Sequence, residues 1–141
     1  MIMRTGTFYV LGAATGPALV LPSPLSFWGG VDPETGVIID KTQAACGTSL
    51  AGRVLVMPSG RGSSSSSSVF AEVIRNGLGP IAIVMARPDP IITAGAIVAR
   101  SLYGIVCPIL TADISGIADG DRIEITAAPD GSAAIGIAQR R

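Results

Sequence analysis

Three short apolar runs, separated by two helical segments, constrain the fold of this chain more than any other feature of its sequence. The runs are Arg53–Met57, Ile81–Ala86 and Ile105–Leu110. Their apolar residues are consecutive rather than alternating, which is typical of strands that are buried on both faces. The pattern therefore predicts a βαβαβ unit with parallel strands and right-handed crossovers.

The two intervening segments are predicted to be amphipathic helices. The first presents an apolar face and stops at Asn76-Gly77, a common helix terminus. The residues of that face are Val69, Phe70, Val73, Ile74 and Leu78. The second helix, Thr93–Leu102, is rich in alanine and ends at Gly104, and we expect Thr93 to cap its start.

Both ends of the chain are rich in strand-forming residues. Thr7–Leu11 and Ala18–Leu21 are predicted to pair with each other, and Val37–Asp40 is predicted to be a short strand. Arg122–Thr126 alternates like a half-exposed strand, and Ala134–Ile137 follows a turn as the last strand. With 141 residues, we expect a single compact β/β/α domain over residues 1–141, an α/β fold that is not a full Rossmann unit.

Composition excludes several classes of function. Ten basic and ten acidic residues cancel, and one lysine offers no electrostatic footprint for nucleic acid. The lack of histidine excludes histidine bases, and Cys46 and Cys107 match no metal motif. Met1–Gly12 lacks a secretory pattern, and no apolar run approaches the roughly 20 residues that span a bilayer. We therefore expect a cytoplasmic protein that binds neither membrane nor nucleic acid.

The proportion of charge leaves two interpretations open. The chain is 48% hydrophobic and 14% charged, and its net charge is zero. A near-zero net charge favours association. The composition fits both a small compact domain and a subunit whose surface is partly covered by a partner.

Six consecutive serines, Ser63–Ser68, lie between a predicted buried strand and a predicted helix. A serine run alone is typical of a flexible linker. A long flexible segment is not expected between a buried strand and a helix of a compact domain. Gly60 and Gly62 permit close backbone approach, and Arg61 can clamp a carboxylate or phosphate at the positive end of a helix. The loop lacks the lysine of a P-loop, and an esterase elbow would need a histidine. The sequence therefore predicts an anion site here.

Several motifs, in order along the chain, resemble the aconitase X family over roughly Gly6 to Ile125. They are Ser26–Gly36, Gly52–Ser68, Arg75–Gly77, Arg87–Val98 and Leu102–Gly104. The resemblance implies a swivelling β/β/α domain similar to the small domain of aconitases and isopropylmalate isomerases. It also implies that the chain is the small subunit of a hydro-lyase and is active only together with a large catalytic subunit. An iron–sulfur cluster would be held by that large subunit and not by this chain.

The resemblance implies two alternative substrates, both small-molecule carboxylates. Bacterial members dehydrate cis-3-hydroxy-L-proline to a pyrroline carboxylate, and archaeal members dehydrate mevalonate 5-phosphate. The serine-rich run from Gly60 to Ser68 is more similar to the bacterial version. A non-catalytic anion-binding module is the alternative from a different class of protein.

Residue roles follow from the same resemblance. Gly62 and Ser63 match the Gly-Ser-Ser loop of aconitase-type swivel domains, which implies that Ser63 transfers a proton and that Gly62 and Ser64 adjoin the substrate. Aconitases place a carboxylate-binding arginine after these serines, whereas Ser65 stands here. The cation would then be Arg61 or a residue of the large subunit.

Two other residues, Asp89 and Trp28, are each open to more than one interpretation. Asp89, between two prolines, orients Arg61, lines the cleft or only forms a turn. Trp28, next to Phe27, either covers the active site or docks on a partner, or it anchors its own loop in the core.

Overall fold

The computed structural model describes residues 1–140, in which seven strands close a barrel and two longer helices cover part of it. The strands are β1 (Ile2–Val10), β2 (Ala14–Val20), β3 (Val54–Met57), β4 (Ala82–Met85), β5 (Ile109–Thr111), β6 (Arg122–Ala127) and β7 (Ala133–Ala138). The longer helices are α2 (Ser65–Arg75) and α3 (Pro90–Tyr103). The short element α1 (Phe27–Gly30) has non-helical backbone angles at Trp28 and Gly29 and is described below as the Trp28 loop. The strand order around the barrel is β1-β5-β4-β3-β2-β6-β7.

The predicted βαβαβ unit is confirmed. Strands β3, β4 and β5 run parallel to one another, and β2 extends the parallel half beyond β3. Along β3, Val54 and Val56 belong to one apolar core, whereas Leu55 and Met57 belong to the other. The consecutive apolar run therefore reflects burial on both faces, as expected.

Two apolar cores hold the molecule together. One fills the barrel, and its members are Ala18, Val54, Val56, Ala82, Val84, Leu110, Ile117, Ile123, Ile125, Ala133, Ile135 and Ile137. The other lies between the parallel strands and helices α2 and α3, which bury Phe70, Val73, Ile92, Ala96 and Ala99 there. The two helices approach closely at Gly95, where an added Cβ would lie 2.7 Å from the Ser67 carbonyl oxygen.

The predicted pairing between the first two strands is wrong. Both strands exist, but β1 pairs with β5 and β7, and β2 pairs with β3 and β6. A parallel β3–β4–β5 unit has two open edges, and an open edge needs a partner. Strand β2 covers the β3 edge and β1 covers the β5 edge, so the two strands are separated. Between them Gly12 runs so close to Pro108 that an added Cβ would lie 2.7 Å from its ring.

Two predicted strands also need correction. Val37–Asp40 forms only isolated bridges, from Val37 to Ser49 and from Ile38 to Val31, because this segment lies outside the barrel. Strand β5 starts at Ile109, not at Ile105, and Ile105 and Val106 are exposed.

The start of α3 also differs from the sequence prediction. The helix starts at Pro90 and is capped by Asp89, not by Thr93. The Asp89 carboxylate accepts from the N–H groups of Ile91 and Ile92, while the Thr93 hydroxyl donates to the Asp89 carbonyl. Proline at the first helical position and an aspartate before it are a favourable start.

Helices long and apolar enough to cross a bilayer are absent from residues 1–140.

Candidate active site

The loops that carry the predicted site residues meet at the carboxyl edge of strands β3 and β4. The Ala86 and Arg87 N–H groups, which follow β4, donate to the Pro58 carbonyl, which follows β3, at 3.1 and 3.0 Å. Ligands commonly bind at the carboxyl ends of parallel strands, in open sheets and in barrels alike. The anion loop predicted from the sequence therefore lies on the side of the sheet where a binding site is expected.

Glycine is required at two points of this loop. Gly60 pairs with Leu25 in a parallel bridge, and an added Cβ would overlap the Asp89 carboxylate. Gly62 has a φ of +108°, and a Cβ there would overlap the hydroxyl of Ser26. The loop is therefore packed tightly between the start of α3 and the segment that precedes Phe27.

Arg61 lies beside a carboxylate that sequence reasoning missed. Its Nη2 atom is 3.5 Å from Oδ2 of Asp40, and the Arg61 side chain is 59% exposed while that of Asp40 is 13% exposed. The Thr42 hydroxyl and N–H both donate to Oδ1 of Asp40, at 2.6 and 2.9 Å. These bonds, and then the Arg61 charge, lower the pKa of Asp40, so it is ionised at neutral pH.

Asp89 is not the partner of Arg61. Its carboxylate is engaged at the start of α3, so the turn-and-cap interpretation applies and the orienting role does not. In the sequence, Asp40 lies 21 positions before Arg61. The one local signal at Asp40 is the Asp-x-Thr turn that it forms with Thr42, and such a turn does not point to a binding site.

The serines divide into exposed and buried members. Ser63 and Ser64 are exposed, and within the described chain Ser64 makes no side-chain bond to the start of α2. Ser66 is buried: its hydroxyl accepts from the Trp28 N–H at 3.2 Å and lies 3.3 Å from the hydroxyl of Ser26. Ser66 therefore does more than lie in the first turn of α2, because its hydroxyl fastens the Trp28 loop to this helix.

The two aromatic residues of this loop have different environments. Phe27 is completely buried and lies against Phe70, with ring centroids 4.5 Å apart. Trp28 is 61% exposed, and Gly29 after it has a φ of +77°. Phe27 is therefore the anchor of the loop, and the core-anchor interpretation of Trp28 is wrong.

An open pocket of about 400 Å³ lies where these segments meet. Its lining residues are Ser26, Trp28, Gly29, Gly30, Asp40, Arg61 and Gly62. Of the residues predicted from the sequence, Arg61 and Gly62 line this pocket, and Ser63 and Ser64 follow directly in the chain. The pocket joins a cation, a carboxylate and an exposed indole, which together suit a small charged ligand.

The two cysteines do not form a metal site. Cys107 is buried, which raises its pKa to about 12 and keeps it a thiol, whereas Cys46 is exposed. Iron–sulfur clusters are held by several thiolates, and in residues 1–140 no group of three or more His, Cys, Asp or Glu residues is placed to hold a metal ion. The described residues thus do not fit such a cluster.

The fold is that of a swivelling β/β/α domain of the aconitase type. The family model described as the aconitase X swivel domain matches residues 3–134, so the chain belongs to this family. The family and the fold class predicted from the sequence are both confirmed.

Known relatives carry two different names. The chain is 48% identical over 100 residues to the cis-3-hydroxy-L-proline dehydratase of Pseudomonas aeruginosa, covering 71% of this chain but 17% of that protein. It is 40% identical over 124 residues to the phosphomevalonate dehydratase small subunit of Methanocella arvoryzae, covering 88% and 89%. The crystal structure of aconitase X from Thermococcus kodakaraensis in its holo-form superposes with a TM-score of 0.86 at 34% identity, covering 99% of this chain and 100% of that one. The chain thus spans less than a fifth of the Pseudomonas aeruginosa relative and most of the Methanocella arvoryzae one.

Proposed function

We propose that this chain is the small swivelling subunit of a cytoplasmic aconitase X-type dehydratase. It acts with a large subunit that holds an iron–sulfur cluster, and the complex removes water from cis-3-hydroxy-L-proline to give a pyrroline-2-carboxylate. The observation that carries the proposal is the pocket in which Arg61 and Gly62 lie directly before Ser63, at the carboxyl edge of the parallel strands. A cytoplasmic location is supported by the two free thiols, as expected in a reducing compartment.

Each site residue has a defined role in this proposal. Dehydration needs a base for a carbon-bound proton and an acid for the departing hydroxyl. Ser63 transfers the proton, since it lies just before the start of α2, where the positive end of the helix dipole favours negative charge on its oxygen. Arg61 binds the substrate carboxylate with two parallel hydrogen bonds, while Gly62 and Ser64 adjoin the substrate. We assign activation of the departing hydroxyl to the large subunit.

A partner is supported by the openness of the pocket. Arg61 and Trp28 are both more than half exposed, although catalytic sites normally exclude water. A second protein surface over this pocket would enclose the substrate. The name "small subunit" carried by the Methanocella arvoryzae relative supports the same arrangement.

Mevalonate 5-phosphate is the second candidate substrate. It is favoured by the phosphomevalonate dehydratase small subunits, which the chain matches over most of their length, among them that of Pyrococcus horikoshii at 44% identity. Hydroxyproline is favoured by the higher identity to the Pseudomonas aeruginosa dehydratase and by the serine-rich loop.

Reconstitution tests the proposal and separates these candidates. The chain and the large aconitase X protein of the same organism are purified, then assayed alone and mixed, with cis-3-hydroxy-L-proline and with mevalonate 5-phosphate. We expect turnover only in the mixture and only of hydroxyproline. Turnover of mevalonate 5-phosphate would select the second candidate. Turnover by the pure chain would contradict the need for a partner. An assembled complex that turns over neither substrate would favour the anion-binding module.

A further inference from the structure

The pocket that holds Arg61 carries balanced charge. Asp40 and Arg61 are its two charged lining residues, and their charges cancel. A ligand with one positive and one negative group matches such a pair, whereas a ligand with two anionic groups does not. The pocket is therefore complementary to a zwitterion.

The ion pair leaves both partners able to bind a ligand. Nη2 of Arg61 lies 3.5 Å from Oδ2 of Asp40, which is a long contact through one nitrogen only. A guanidinium has five N–H donors, so those not directed at Asp40 remain available for a carboxylate. Thr42 occupies Oδ1 of Asp40 with two hydrogen bonds and fixes the carboxylate. Oδ2 makes the long contact to Arg61, and because a carboxylate oxygen has two lone-pair sites, it can also accept from a ligand ammonium.

The exposed indole of Trp28 completes this arrangement. Trp28 is 61% exposed and lines the same pocket, while Phe27 and Ser66 hold its backbone in place. An aromatic face attracts a cation and also packs against an apolar ring. A five-membered ring that carries a secondary ammonium offers both features at once.

We infer that Asp40 determines the specificity of this site for a zwitterionic imino acid. Arg61 binds the carboxylate of the substrate, Asp40 binds the ring ammonium, and Trp28 covers the ring. This inference rests on the proposed function and names the residue that sets its substrate class. An ionised carboxylate next to Arg61 repels a phosphate group, so the same residue disfavours mevalonate 5-phosphate.

Two inhibitors that differ only at the ring nitrogen test the inference. L-Proline carries the ring ammonium, and cyclopentanecarboxylate has a methylene in its place. In the reconstituted complex we expect L-proline to inhibit hydroxyproline turnover with a Ki about tenfold or more below that of cyclopentanecarboxylate, as one charge-assisted hydrogen bond provides. Equal inhibition of the wild-type complex by both compounds would overturn the inference without any variant.

Substitution of Asp40 tests whether this residue causes the preference for L-proline over cyclopentanecarboxylate. Asp40→Asn should bring the two Ki values within about threefold and raise KM for hydroxyproline about tenfold or more, with kcat nearly unchanged. Asp40→Glu keeps the charge and should retain part of the preference, even if Asp40→Asn fails to assemble. Glu34→Gln removes an exposed carboxylate outside the pocket and should leave the Ki ratio unchanged.

The outcomes separate this inference from the proposed function. If the complex turns over hydroxyproline but Asp40→Asn keeps the wild-type Ki ratio, the inference is wrong and the proposed function stands. If the wild-type complex does not turn over hydroxyproline, the proposed substrate itself is wrong.

Discussion

The buried hydroxyl of Ser66 accepts a hydrogen bond from the Trp28 N–H at 3.2 Å and thereby ties helix α2 to a loop that lines the pocket. Ser66→Ala should lower the free energy of unfolding by about 1 kcal/mol, because the part-buried Trp28 N–H loses its hydrogen-bond partner. Chemical denaturation of the isolated chain measures this loss. Ser68→Ala is the matched control, since Ser68 is exposed on the same helix. Equal stability of the two variants would show that the Ser66 contact contributes nothing.

Phe27 and Trp28 should respond in opposite ways to truncation. Phe27→Ala removes a fully buried ring and should cost about 3–5 kcal/mol of stability. Trp28→Ala should leave the stability nearly unchanged, because most of the indole is already in water, but it should weaken substrate binding or association with the large subunit. Thermal melting of the chain and titration with the large subunit give the two readouts. A large drop in melting temperature for Trp28→Ala, with binding intact, would contradict this division.

Arg61→Lys should raise KM for the substrate about tenfold while kcat changes little, since a point charge cannot replace a two-pronged carboxylate clamp. Steady-state kinetics of the reconstituted complex measure both constants. Arg87→Lys is the control, because Arg87 is exposed on the adjacent loop and does not line the pocket. A normal KM for Arg61→Lys would assign carboxylate binding to the large subunit.

Because of Asp121, the free energy of unfolding should vary with pH in the acid range. Its buried carboxylate accepts from the Arg140 and Ala118 N–H groups, and these bonds lower its pKa. Because the folded pKa lies below the unfolded value of about 3.9, the stabilisation is present above that pH and is lost as pH falls through the folded pKa. Asp121→Asn should therefore be less stable than the wild type at pH 7.

Denaturation between pH 2 and pH 7 tests this dependence. The stability difference between wild type and Asp121→Asn should begin to shrink near pH 4, where the unfolded carboxylate takes up a proton, and should be lost once pH falls below the lower pKa of the folded carboxylate. Glu124→Gln, at an exposed position on β6, is the control. A difference that stays constant with pH would contradict a role for the charge.

The parallel half of the fold could be predicted from the sequence, because its signal is local. Arg53–Met57 shows burial on both faces in consecutive residues, and Asn76-Gly77 marks the end of α2 without reference to the rest of the chain. The partners of β1 and β2 could not be predicted in this way. Which strand covers which edge depends on closure of the barrel, and the two strands have similar patterns.

The candidate site shows the same limit. Arg61 and Gly62 could be identified because they lie in one loop between a strand and a helix. Asp40 could not, since its contact with Arg61 is made by folding alone and many aspartates precede turn residues. Ser66 could not be distinguished from its neighbours, because six identical residues conceal which one the helix turns inward.

The catalytic assignment of Ser63 is tested most directly by one measurement, the kcat of Ser63→Ala in the reconstituted complex. Groups that transfer protons contribute about 10²–10⁴-fold, so kcat should fall by that factor while gel filtration shows the complex assembled. Ser67→Ala, in the same serine run but on α2, should be close to the wild type. A near-normal kcat for Ser63→Ala would show that the serine run does not take part in the chemistry.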